Sequence, residues 1–167
     1  MFSAGFKPIH GLNFEKARIL IVGDVMLDQY WHGQTSRISP EAPVPIVHIE
    51  ARDERPGGAA NVALGVAALG AKPYLLGLVG EDTEAHNLEA LLAKQGIACH
   101  LQRLAGAHTI KKLRVLSRGQ QMVRLDTETT FVLDEGLRSI LFQHYQAALA
   151  HTDVVVLSDY GKGTLFE

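Results

Sequence analysis

Cysteine is nearly absent: Cys99 stands alone in 167 residues, so the chain can form no internal disulfide and no cysteine-built zinc site. A reducing compartment follows, and the expected location is the cytoplasm. Charge of one sign is also missing. Sixteen Lys and Arg face 18 Asp and Glu, leaving a net charge of −2 and a pI near 6.4, which excludes a broad electrostatic nucleic-acid surface. The most apolar run, Val62–Ala71, is interrupted by Gly65 and Gly70 and falls short of the ~18 residues that span a bilayer, so no membrane partner is expected. Residues 1–16 lack the apolar core and small-residue cleavage site of a secretory leader. The eight histidines are scattered without metal-ligand spacing, and no metal site is expected.

What is present suits one core. Apolar residues make up 47% and charged residues 20%, enough apolar material for a domain and too little charge for disorder. Glycine is in excess, with 16 residues, and several fall where strands pass into helices. Arg18–Gly23 has the short β-branched run of a buried strand, and Gln29–Gly33 reads as a second, short one. Three prolines in Ser39–Pro45 exclude a central strand or a helix there, and an edge strand is expected at Ile46–Glu50. A small-residue helix spans Gly57–Leu69 with Gly70 as its stop. A strand follows at Tyr74–Val79. The next helix runs from Asp82 or Thr83 to Gln95 and stops at Gly96.

Further strands are expected at Ile97–Leu104, Ile110–Ser117 and Gln121–Asp126, the last two joined by Arg118-Gly-Gln. Asp134–Ala150 shows a helical face of Leu137, Ile140, Leu141, His144 and Ala148, and Asp153–Ser158 a buried strand. Strand–helix alternation predicts an α/β fold, a doubly wound and mostly parallel sheet. The segments that break the alternation, within about 29–50 and 109–126, are expected to form a small separate sheet. Only nine residues follow the strand at Asp153–Ser158, so 1–167 is expected to be the first half of a larger domain, with Gly161–Glu167 the start of a helix.

Two motifs carry chemistry. In Arg55-Pro-Gly-Gly-Ala-Ala-Asn-Val-Ala63, Gly57 and Gly58 precede a helix whose N–H groups suit hydroxyl or phosphate oxygens, and Asn61 lies one turn inside it. In Val22-Gly-Asp-Val-Met-Leu-Asp28, a carboxylate just past the first strand can accept bonds from sugar hydroxyls. Asp24 is assigned ordinary turn chemistry; Asp28, five residues after Gly23, takes that role on the family resemblance that the next motifs carry. Neither G-x-G-x-x-G nor a P-loop is present.

Gly57-Gly58-Ala59, Asn61, Ala63, Gly70 and Gly80 are spaced as in the first signature of the ribokinase-like (PfkB) sugar kinases, and the chain resembles that family. Together with Thr35–Pro45, Lys112–Arg118 and Leu157–Gly163, these motifs are similar to the kinase domains that phosphorylate D-glycero-β-D-manno-heptose 7-phosphate at C1 for ADP-heptose and lipopolysaccharide core. The resemblance implies ATP and Mg²⁺ as cofactors, a sugar phosphate as partner, and a β-sheet lid that doubles as a homodimer interface. Under it, Lys162 is the leading candidate for the substrate phosphate, followed by Arg114 and Arg118, because phosphate needs cationic partners. Lys111, Lys112 and Arg124 are assigned to a solvated face.

The family's catalytic aspartate lies in a Gly-Ala-Gly-Asp motif, which this chain does not contain; nor does it contain the His-x-Gly-His of a fused adenylyltransferase. No catalytic residue is therefore assigned, and the chain alone is expected to carry the sugar side and lid without turnover. The alternatives are a non-catalytic module that binds sugar phosphate or dimerises, and a PfkB kinase for another sugar phosphate.

Overall fold

The computed structural model describes residues 14–165; the leader reading at 1–13 and the end of the expected helix at 166–167 lie outside it. Four strands form a wholly parallel sheet in the order β5-β4-β1-β8: β1 (Arg18–Gly23), β4 (Lys72–Gly80), β5 (Ala98–Leu104) and β8 (Val154–Ser158). Successive side chains of β1 point to opposite faces, so each face receives its own helices. Ile21 faces α1 (Ala59–Ala68) and α2 (Thr83–Lys94), joining Leu75, Ala60, Ala63, Leu88 and Leu92 in one core. Leu20, Val22 and Leu76 face the other way and pack with Tyr145 and Ala148 of α3 (Glu135–Leu149).

Local chemistry sets the helix ends. Asp82 caps α2 by accepting from the Ala85 N–H (2.9 Å), and Asp134 caps α3 by accepting from Leu137 (2.8 Å). Asp82 also accepts from the Thr109 N–H and hydroxyl, both at 2.7 Å. Burial pushes the Asp82 carboxyl upward, but the Thr109 and Ala85 bonds outweigh it and hold the group below its usual range. The same Thr109 hydroxyl accepts from the Gly80 N–H, and a side chain at Gly80 would strike the Ala107 carbonyl.

Two excursions leave the parallel sheet and meet in a second one, ordered β3-β2-β6-β7. The first runs from the end of β1 through Asp24 into β2 (Val25–Ile38), back along antiparallel β3 (Pro45–Gly58), and straight into α1. The second is the hairpin of β6 (Lys111–Ser117) and β7 (Gln120–Thr127), with β6 parallel to β2. Because the first excursion starts at the C-terminal end of β1, the second sheet sits at the end where open α/β sheets bind ligands.

Several expectations change. β2 and β3 are each 14 residues long, far longer than the short strands expected at 29–33 and 46–50, because they pair with each other along nearly their full length. The proline-rich Ser39–Pro45 supplies only the turn between them and the first residue of β3. The helix expected from Gly57 starts at Ala59, since both glycines still pair within β3. The hairpin turn is Arg118-Gly119, both with positive φ (52° and 81°). Ile140 is exposed rather than on the packed face of α3. β8 is an edge strand with Val154 and Leu157 51% and 64% exposed, because no strand pairs with its outer side among the described residues. Residues 161–165 form bends and no helical turn.

Candidate functional site

The site is built where β1, β2, the end of β3 and the loop after β8 converge. At its base lies Asp24, fully buried. One carboxylate oxygen accepts from the backbone N–H groups of Tyr160 (2.8 Å) and Lys162 (3.0 Å), the other from Thr164 (3.1 Å). Its own N–H donates to the Ser158 carbonyl, and its carbonyl accepts from Ala59 at the start of α1. A buried carboxylate is costly unless such bonds replace water, and here the backbone supplies them. Asp24 thus ties together the β1–β2 junction, the start of α1 and the loop carrying Lys162. The turn chemistry assigned to it from sequence understates this, since its partners lie more than 130 residues away.

Above it stands Asp28 on β2. Its carboxylate takes the Arg114 guanidinium at 2.5 Å across the parallel β2–β6 pair. This hydrogen bond makes the Arg114 proton harder to remove than usual, with burial acting in the opposite direction. Arg114 also lies over the Tyr30 ring, and Arg55 over the same ring at 4.8 Å. Gly57 is required beside Asp28: a Cβ there would collide with the Asp28 carboxylate and with Met26. Gly58, with φ at 58°, lies against the Asp24 carbonyl and caps α1. Its neighbour's N–H is already bonded to Asp24, so the glycines' first role here is close approach.

The third part of the site is a chain of charges. Lys162 holds Glu128 at 3.0 Å, and Glu128 and Asp126 each accept from Lys112 at 3.2 Å. Arg124 completes the row on Asp126 at 2.9 Å. The Lys162 and Lys112 bonds hold the Glu128 carboxyl below its ordinary range. Burial pushes Asp126 upward, but Lys112 and Arg124 outweigh it and bring the group down. Lys112 is the register partner of Asp28, and its side chain is only 19% exposed, so the solvated face expected for it is corrected. Lys111 likewise pairs with Glu84 of α2.

Asp28, Gly57, Gly58, Arg114 and Lys162 therefore belong to one connected region. Asn61 sits in the first turn of α1, exposed and without a hydrogen-bond partner among the described residues. Arg118 is apart, at the exposed hairpin tip, about 13 Å along the strand from Arg114. Asp24, Lys112 and Glu128 were missed; the spacing Lys112-x-Arg114, which puts both on one face of a strand, was the available signal for Lys112.

The arrangement offers a carboxylate for hydroxyls beside lysines for an anion. It offers no seat for Mg²⁺. Asp24 is engaged by amides, and Asp28, Asp126 and Glu128 by cations, while no group of three metal-ligating side chains gathers among the described residues. Nor is any described helix long and apolar enough to cross a membrane.

The family model for pfkB family carbohydrate kinases matches residues 16–165. The bifunctional protein HldE of Coxiella burnetii is 56% identical over 92% of this chain, that of Aeromonas hydrophila 59% over 91%, and that of Nitrosococcus oceani 55% over 95%. The chain spans about a third of the length of these relatives, 32–33%, and matches their kinase part. Among solved structures, a carbohydrate kinase from Agrobacterium tumefaciens is similar over 84% of this chain and 45% of its own, at TM-score 0.65 and 17% identity. Phosphofructokinase-2 of Escherichia coli, in complex with fructose 6-phosphate, is similar over 87% of this chain and 46% of its own, at TM-score 0.63 and 22% identity. These structural likenesses show the ribokinase-like fold.

Proposed function

The chain belongs to the pfkB family of carbohydrate kinases, and from that premise we propose that it carries the acceptor-sugar side of an ATP-dependent kinase for D-glycero-β-D-manno-heptose 7-phosphate. The phosphoryl group goes to the C1 hydroxyl, giving the 1,7-bisphosphate for ADP-heptose and lipopolysaccharide core. The observation that carries this reading is the juxtaposition of Asp28, a hydroxyl acceptor, with the Lys112–Lys162 pair, an anion seat, within one connected region. A sugar phosphate has that polarity: hydroxyls at one end and a dianion at the other.

Asp28 accepts from the sugar hydroxyls, releasing part of its bond to Arg114. Gly57 and Gly58 let the ligand approach the backbone, and Asn61 adds an amide from α1. Lys162 and Lys112 hold the phosphate end, with Arg114 beside them on Asp28, and Arg118 joins them only if the hairpin bends inward. These residues bind and orient. ATP is the phosphoryl donor and Mg²⁺ its counter-ion, and no base is assigned within 1–167, read as the N-terminal half of the kinase domain. The second sheet is the lid, formed by strands within about 29–50 and 109–126. Its exposed apolar side chains on β7, Met122, Val123 and Leu125, form the seam of a cytoplasmic homodimer.

ADP release by the full-length protein with ATP and heptose 7-phosphate tests the reading. The wild type turns over, and Asp28→Ala lowers kcat/KM for the sugar by about 100-fold or more with the KM for ATP nearly unchanged. Turnover with a different sugar phosphate alone overturns the substrate, and binding without turnover favours the non-catalytic module. An unchanged sugar KM in Asp28→Ala overturns the site.

A further inference from the structure

Lys112 lies on β6 and Lys162 in the loop after β8, yet both ammonium groups converge on one carboxylate, Glu128, at 3.2 and 3.0 Å. Lysine pairs rarely share a seat without an anion between them, because like charges at that range repel. We propose that Glu128 is a built-in occupant of the phosphate seat, displaced when the phosphate group of a sugar phosphate binds between Lys112 and Lys162.

The backbone is arranged for such an exchange. Lys162 is pinned through its main chain: its N–H donates to Asp24 and its carbonyl accepts from the Phe131 N–H at 2.8 Å. Gly163, with φ at 99°, leaves no room for a side chain against the Phe131 carbonyl, so the 128–133 segment is stitched closely to this loop. Phe131 and Leu133 anchor that segment in the core. Glu128 itself, just past the end of β7, is held among the described residues by the two lysines alone, and its side chain is 44% exposed. The ends are fixed while the carboxylate can swing away. Asp126, by contrast, is shared with Arg124 and stays with Lys112. With Glu128 in place, the row holds three cations against two carboxylates; once it leaves, the excess positive charge suits a dianion.

The inference rests on the kinase reading only for the identity of the ligand, and its test uses inorganic phosphate as the probe. Phosphate is titrated into the full protein at fixed ionic strength, with chloride as the balancing anion, and binding is followed by NMR of the lysine side chains. Glu128→Gln, which keeps the shape and removes the charge, is expected to bind phosphate about fivefold tighter than the wild type. Glu128→Asp, too short to reach both lysines, should gain in the same direction. In the Glu128→Gln, Lys162→Met double variant the gain should vanish. Binding unchanged or weaker in Glu128→Gln, or a gain that survives loss of Lys162, would overturn the displacement. Failure of the kinase reading looks different: no phosphoryl transfer to any sugar phosphate, with the phosphate gain intact.

Discussion

The two sheets handle buried or half-buried carboxylates in opposite ways. At the end of the parallel sheet, Asp24 is satisfied by three backbone N–H groups from one loop. On the second sheet, Asp28, Asp126 and Glu128 are each satisfied by side-chain cations on neighbouring strands or loops. Backbone donors cannot leave without unmaking the loop, so Asp24 is scaffold. Side-chain donors sit on flexible stems and can be re-partnered, so the second sheet's charges are the part a ligand can rearrange. The molecule separates a fixed floor from an exchangeable roof.

The contrast breaks most severely at the floor. Asp24→Ala leaves three N–H groups, one buried and two half-buried, without their acceptor and is expected to cost about 3 kcal/mol or more of stability, read from chemical denaturation. A loss below about 1 kcal/mol would mean that the loop finds other acceptors. On the roof, Gly57→Ala places a Cβ against the Asp28 carboxylate. It should lower stability by only about 1–2 kcal/mol but raise the sugar KM at least tenfold, with the KM for ATP unchanged. Equal effects on both substrates would show that Gly57 serves the fold and not the site.

A smaller effect sharpens the comparison away from either carboxylate set. His100 of β5 stacks on His144 of α3 with ring centroids 3.6 Å apart, and its buried Nε2 has no hydrogen-bond partner among the described residues. Burial, and secondly the His144 ring, push the His100 imidazole below its ordinary value near 6.5, against a hydrogen bond with Gln102. As pH falls through that ordinary value, the unfolded chain takes up a proton that the folded one refuses, so stability falls with acidification. His100→Phe should flatten the dependence between about pH 6.5 and 5 in thermal melts. A slope unchanged in the variant would remove His100 as its source.

Much of the fold was legible because it is written locally. The β-branched run of β1, the Asp82 and Asp134 caps, and Gly70 and Gly96 with positive φ just beyond their helices all carry their structure in a few neighbouring residues. The full length of β2 and β3 was not, since pairing between distant residues, with bulges near Gly33 and Arg37, extends strands past what propensity marks. In the site, Asp28 and the paired glycines stood out through motif spacing. Asp24 and Glu128 did not. Both are ordinary acidic residues whose roles come from donors that the sequence separates widely and the topology brings together.

The most direct test of the division between floor and roof is a titration of the full protein with heptose 7-phosphate, followed by carbon-13 NMR of the side-chain carboxyl groups. The signals of Asp28 and Glu128 should shift together and saturate at one sugar phosphate per chain, while that of Asp24 stays in place. A shift confined to Asp24, or no change at Asp28, would contradict the account.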